Sequence, residues 1–223
     1  MTYPAPDYPY VGPPYRNSGM GNKPIDKIVI HETVSPLKKG GARMIGAYFR
    51  SSRAGGSAHY IVDNFEVVQS GWDSLICWHA PPNPHSIGIE MCDYPAWDLK
   101  RWFGGRIPRG VEEVNDEDVR TDLDPGPGVK RVAIATLLRP DYRALLENTA
   151  KLTAELCLAY DVPAVYRTAA DLKAGRRGVT THRQVSLAFG QSVHWDPGAW
   201  PRRYFMRRVR VWIKRLHEEA KKK

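Results

Sequence analysis

Apolar positions fall in short blocks over the first half of the chain and in two long periodic stretches over the second. DKIVIH, residues 26–31, is a short apolar run of the kind that fills a buried strand. SAHYIVD (57–63) and FEVVQSG (65–71) read as two strands joined by a turn at Asp63-Asn64, and SIGIEMC (86–92) as another buried strand. Residues 41–52 can form a helix. In residues 140–160, Leu145, Leu152, Leu156 and Ala159 can share one helical face, and Pro140 suits the first turn. Near 201–220, Phe205, Val209, Trp212 and Leu216 fall on one side and Arg and Lys on the other. Four β segments with helices between and after them predict an α/β fold: a single domain with a mixed central β-sheet flanked by helices.

Composition adds boundaries. Residues 1–24 are rich in Pro, Gly and Tyr and read as an extended N-terminal arm, leaving 25–223 as the domain. Residues 95–139 read as an insertion or long loop whose acidic block lacks the spacing of a calcium-binding loop. The chain has 223 residues and no apolar run of about 18, so no transmembrane segment is expected. Its start has no basic stretch followed by an apolar one, so no signal peptide is expected and the chain is read as made in the cytoplasm. Cys77, Cys92 and Cys157 are few and widely spaced, with no Cys-x-x-Cys; they are expected to be buried free thiols.

The net charge is +9, but residues 201–223 hold ten Lys or Arg against two Glu, so the basic character belongs to the last helix. Arg and Lys interleaved with Tyr204, Phe205 and Trp212 could contact phosphates, but no nucleic-acid motif accompanies them, and no nucleic-acid partner is expected.

His31 ends an apolar strand, His182 follows GVTT and precedes a polar turn, and Asp196 stands just before Pro-Gly. Two histidines and a carboxylate form a known catalytic zinc set, because a fourth position stays open. Spacing alone does not join residues 31 and 182 into one site. HETVS at 31–35 is not a His-Glu-x-x-His motif.

Five segments in order, IVIHETVS, SAHYIVD with VVQSG, CWHAPPNPHSIGIEMC, TTHRQVS and HWDPGAWP, resemble the type-2 N-acetylmuramoyl-L-alanine amidases. That family includes phage endolysins, autolysins and peptidoglycan recognition proteins. The resemblance runs from about residue 25 to 201, with 95–139 as extra material. It implies a zinc-dependent α/β amidase with the metal at one end of the sheet, held by His31, His182 and Asp196. Asp124-Pro-Gly-Pro matches the family's carboxylate tail more closely, but it precedes the second histidine, so Asp196 is preferred. Glu90 aligns with the family's general base. His194 stands where many relatives carry lysine and is expected to stabilise the oxyanion. Ala58 replaces a tyrosine that some phage relatives use. Trp78 and His79, in the family's Trp-His-Ala triplet, are candidate substrate contacts. His59 is expected to support the zinc site through a hydrogen bond, and His85 to be a loop residue.

The implied activity is hydrolysis of the amide between N-acetylmuramic acid and L-alanine, with Zn2+ as cofactor and peptidoglycan as partner. As an endolysin, the protein would wait in the host cytoplasm until a holin released it to the wall. Anionic envelope polymers would be drawn to the basic C-terminal helix. The alternative is a non-catalytic peptidoglycan-binding module of the same fold; retention of all three ligands argues against it.

Overall fold

The computed structural model describes residues 3–94, 135, 137, 139–198 and 200–222. In chain order the elements are β1 (Asn17–Met20), β2 (Lys27–Glu32), α1 (Gly41–Phe49), β3 (Tyr60–Val62), β4 (Val67–Gln69), β5 (Leu75–Cys77) and β6 (Ser86–Met91). There follow α2 (Pro140–Ala159), α3 (Ala169–Lys173), β7 (Gly178–Thr181), α4 (His182–Phe189) and α5 (Arg202–Ala220). The main sheet has the order β4-β3-β6-β2-β7. The β3/β6, β6/β2 and β2/β7 pairs are parallel and β3/β4 is antiparallel, so the sheet is mixed and the fold α/β as expected.

Alternation along the inner strands builds two apolar layers. Ile28 and Ile30 of β2, with Ile87, Ile89 and Met91 of β6, join the principal core beneath α2 and α5. That core includes Leu145, Leu152 and Leu156 from α2 and Phe205, Met206 and Val209 from α5. Trp212 and Leu216 pack against it while partly exposed, and Ala159, expected on the buried face of α2, is only partly covered. The intervening positions serve the opposite face. Val29 packs there with Leu172 of α3 and Val185 of α4, and Ile61 packs with Ala42 and Phe49 of α1.

The segment before β2 is tied to the sheet. Val11 N–H donates to the Gln69 carbonyl at 2.9 Å, and Gln69 N–H to that of Pro9 at 3.0 Å. Tyr8 donates to Glu155 of α2 at 2.6 Å. Asn22, fully buried, accepts from Ser86 N–H and donates to the Ser86 carbonyl, at 3.2 and 2.6 Å. All three cysteines are free and buried. No helix among the described residues is long and apolar enough to cross a membrane. Residues 95–134, with the acidic block and Asp124, lie outside the described residues.

Five elements go beyond expectation, β1, β5, α3, β7 and α4, and the last two bear on the site. GVTT forms β7, whose polar threonines hide a strand wholly buried against β2. The stretch after His182 is not a polar turn but the helix α4, capped at its start by Thr181, whose Oγ1 accepts from Gln184 N–H. It ends on Gly190 at φ 67°, a backbone that glycine adopts without cost.

Candidate active site

Three adjacent strands deliver the site. His31 and Glu90 are partners in the β2/β6 register, near the C-terminal ends of both strands. His31 follows Val29 by two positions and Glu90 follows Gly88 by two, which places both away from the α2/α5 core. His182 is the first residue of α4, directly after β7. Helix starts leave backbone N–H groups unpaired. Here Arg183 N–H donates to the carbonyl of Asp196 at 3.0 Å, which ties the returning loop to the helix and sets Asp196 in place.

The two oxygens of Asp196 are shared between two imidazoles. Oδ2 lies 3.2 Å from His31 Nδ1, and Oδ1 lies 3.2 Å from His182 Nδ1. All three side chains are buried, and one ligand atom from each lies within 4.8 Å of the others. A tetrahedral zinc ion with bonds of about 2.0–2.1 Å has edges of about 3.3 Å, so the two N···O separations suit it. The donor set, two imidazoles and one carboxylate, suits it as well.

Protonation favours a cation at two of the three groups. Burial pushes the His182 imidazole down to about 4, against the pull of its hydrogen bond to Asp196, so it is neutral at neutral pH. Burial would raise the Asp196 carboxyl, but hydrogen bonds from His182, His194 and His31 outweigh that and hold it well below the usual carboxylate range. Burial lowers His31, yet its hydrogen bond to Asp196 and the charges of Glu90 and Asp196 leave it above the usual histidine value. A metal therefore competes with a proton at His31.

A cavity of about 850 Å³ opens over these residues, between α1 on one side and α4 with its following loop on the other. Glu90, Trp78 and His194 line it together with Tyr48. Desolvation pushes the Glu90 carboxyl up to about 7, opposed by the neighbouring His31. His194 stacks on His182 with ring centroids 3.9 Å apart, and its Nδ1 lies 3.5 Å from Asp196 Oδ1. Its side chain remains half exposed toward the cavity. Trp78 stands at the rim, where its indole N–H donates to Ser18 Oγ at 2.7 Å and the Arg16 guanidinium lies 5.7 Å from its ring centre.

The structure thus brings His31, His182, Asp196, Glu90, His194, Trp78 and His79 to one cavity. His79 is buried, and both its ring nitrogens are engaged within the protein, Nδ1 with His31 at 3.1 Å and Nε2 with Ser86 at 3.0 Å. His59 does not hydrogen-bond any of the three metal candidates. Its Nδ1 accepts from Gly88 N–H and its Nε2 donates to the Leu75 carbonyl, so it braces β6 against β5 instead. His85 sits in the loop before β6 with its Nδ1 2.9 Å from the Pro24 carbonyl. Sequence reasoning missed Ser86, Asn83 and Asn22. The only signal was the Asn83-Pro84 turn, where Asn83 Oδ1 accepts from the N–H groups of His79 and Ala80.

Known proteins resemble the chain in sequence profile and in fold. The profile of the N-acetylmuramoyl-L-alanine amidase family matches residues 21–199. No curated protein matches the chain in sequence. Among solved structures, the chain is similar to the Staphylococcus aureus hydrolase AmiA in complex with its ligand: 14% identity, TM-score 0.60, 94% of this chain and 84% of that one covered. It is also similar to a mutant endolysin from Bacillus subtilis: 17% identity, TM-score 0.53, covering 94% and 99%. The catalytic domain of XlyA is similar at 16% identity and TM-score 0.52, covering 92% and 99%. At such identities these structures speak for the fold alone.

Proposed function

The chain belongs to the N-acetylmuramoyl-L-alanine amidase family, and from that premise we propose that it is a zinc hydrolase cutting the amide between N-acetylmuramic acid and L-alanine in peptidoglycan. The observation that carries the reading is the convergence of His31, His182 and Asp196 beside Glu90 in one open cavity. Bound zinc would supply a Lewis acid that acidifies water and polarises a carbonyl oxygen.

The chain's own residues do the rest. His31, His182 and Asp196 hold the ion. Glu90 accepts the proton of the attacking water and returns it to the departing amine of L-alanine. A carboxyl near 7 is suited to both directions of that transfer. His194, stacked on His182 and open to the cavity, donates an N–H to the carbonyl oxygen as it gains charge. Trp78 offers an apolar face for the sugar or peptide at the rim. The lytic role completes the proposal: the protein waits in the host cytoplasm for a holin, and the basic face of α5 draws it to anionic envelope polymers.

Digestion of purified peptidoglycan, with and without a zinc chelator, tests this. The expected products are new N-terminal alanines that vanish with chelator and return with zinc. New reducing ends, or no product from several wall types, would overturn the reading.

A further inference from the structure

We infer that His79 is a positioning residue, the middle member of a one-way hydrogen-bond relay, Asn83–Ser86–His79–His31, that leaves His31 Nδ1 as the only nitrogen free to bind a cation. The inference rests on the zinc reading of the site. Its direction is set at the far end of the relay. Ser86 Oγ lies 2.6 Å from the Asn83 carbonyl oxygen, which can only accept, so the single hydroxyl hydrogen of Ser86 is spent there. Ser86 Oγ is also 3.0 Å from His79 Nε2 and must therefore accept from it. That puts the His79 proton on Nε2 and leaves a lone pair on Nδ1. His31 Nε2, 3.1 Å from that lone pair, must be the donor. With its Nε2 fixed as N–H, neutral His31 presents Nδ1 toward Asp196, 3.2 Å away.

The packing is built around the relay. A Cβ at Gly88 would stand 2.7 Å from His79 Cγ and 2.8 Å from its Nδ1, so β6 gives up a side chain where the imidazole crosses it. Asn83 Oδ1 holds the His79 N–H at 3.0 Å, which fixes the ring's backbone as well. Neither nitrogen of His79 is left for substrate, so direct reading of the muramoyl peptide passes to Trp78 and the other cavity residues.

The test measures zinc affinity of the full chain by competition with a chromophoric chelator, with far-UV circular dichroism as the folding control. His79→Ala is expected to weaken zinc binding about 10- to 100-fold, the range typical for partners of metal-bound histidines. His79→Asn keeps an acceptor oxygen near the position of Nδ1 and is expected to recover most of that loss. Long-range proton–nitrogen spectra of the zinc-loaded wild type are expected to place the proton of His79 on Nε2 and that of His31 on Nε2. A folded His79→Ala protein with unchanged zinc affinity, or a His79 proton on Nδ1, would overturn the relay. The spectra decide the matter even if the variant does not fold. A wild type that binds no zinc would instead sink the metal reading itself.

Discussion

Glu90 carries two opposing consequences at the scale of a single residue. Its carboxyl titrates at about 7 in the fold, against about 4.3 for an unperturbed glutamate. The group must be ionised to act as a base, and a neighbouring bound cation would favour the ionised form, so hydrolysis is expected to fall as pH drops below about 7. Glu90→Gln should lose about 10²- to 10⁴-fold in turnover while still binding zinc; full activity in that variant would remove Glu90 from the mechanism. Stability runs the other way. A folded pKa above the unfolded one means that the metal-free protein binds this proton more tightly when folded. No cost arises below about pH 4, and up to about 4 kcal/mol of stability is lost as pH rises to 7 and beyond. The advantage of Glu90→Gln over wild type in chelator should therefore grow between pH 4 and 7, as read from urea midpoints. The family resemblance made Glu90, His31, His182 and Asp196 legible because each sits in a local motif. Ser86 and Asn22 were not, since a serine or asparagine acquires a role only from what the fold sets beside it.

Among the elements, α4 decides whether the three candidate ligands meet. Thr181 caps it through Gln184 N–H, and Gln184 Oε1 in turn accepts from Ala169 N–H at 2.6 Å, joining α4 to the start of α3. Thr181→Ala should cost about 1 kcal/mol of stability, measured by denaturant unfolding. It should also weaken zinc binding, because His182 is the first residue the cap orders; unchanged affinity would show that the loop alone positions it. The strands β2 and β6 could be read from sequence because one face of each is an unbroken apolar row, Ile28 and Ile30 in one and Ile87, Ile89 and Met91 in the other. The strand β7 could not, since Thr180 and Thr181 are buried by the neighbouring β2 and α4 rather than by their own hydrophobicity. The helix α4 was obscured by His182, Arg183 and Gln184 at its start, polar residues that serve a site and a helix junction.

At the scale of the whole molecule, α5 has two faces with separate tasks. Phe205 is fully buried and Trp200 packs against it with the rings tilted and their centres 4.8 Å apart, so the last helix clamps the loop that carries Asp196. Phe205→Ala should cost about 3–5 kcal/mol by denaturant unfolding. The outer face exposes Arg203, Arg207, Arg210 and Lys214. If it meets anionic wall polymers, sedimentation with cell walls should weaken as salt rises from 50 to 500 mM, within the range where about 10 Å of screening shrinks further; salt-independent binding would assign attachment to the cavity instead. The sheet also explains how one site draws on distant sequence, since His31 and Asp196 are 165 residues apart. At about 5–20 residues per second, a ribosome needs roughly 10–30 s to travel between them. The first candidate ligand is thus made long before the last, and every nascent chain shorter than 196 residues lacks Asp196. On the amidase reading proposed above, such shorter chains are inert, and the capacity for hydrolysis arises in one step, once the loop carrying Asp196 has been made.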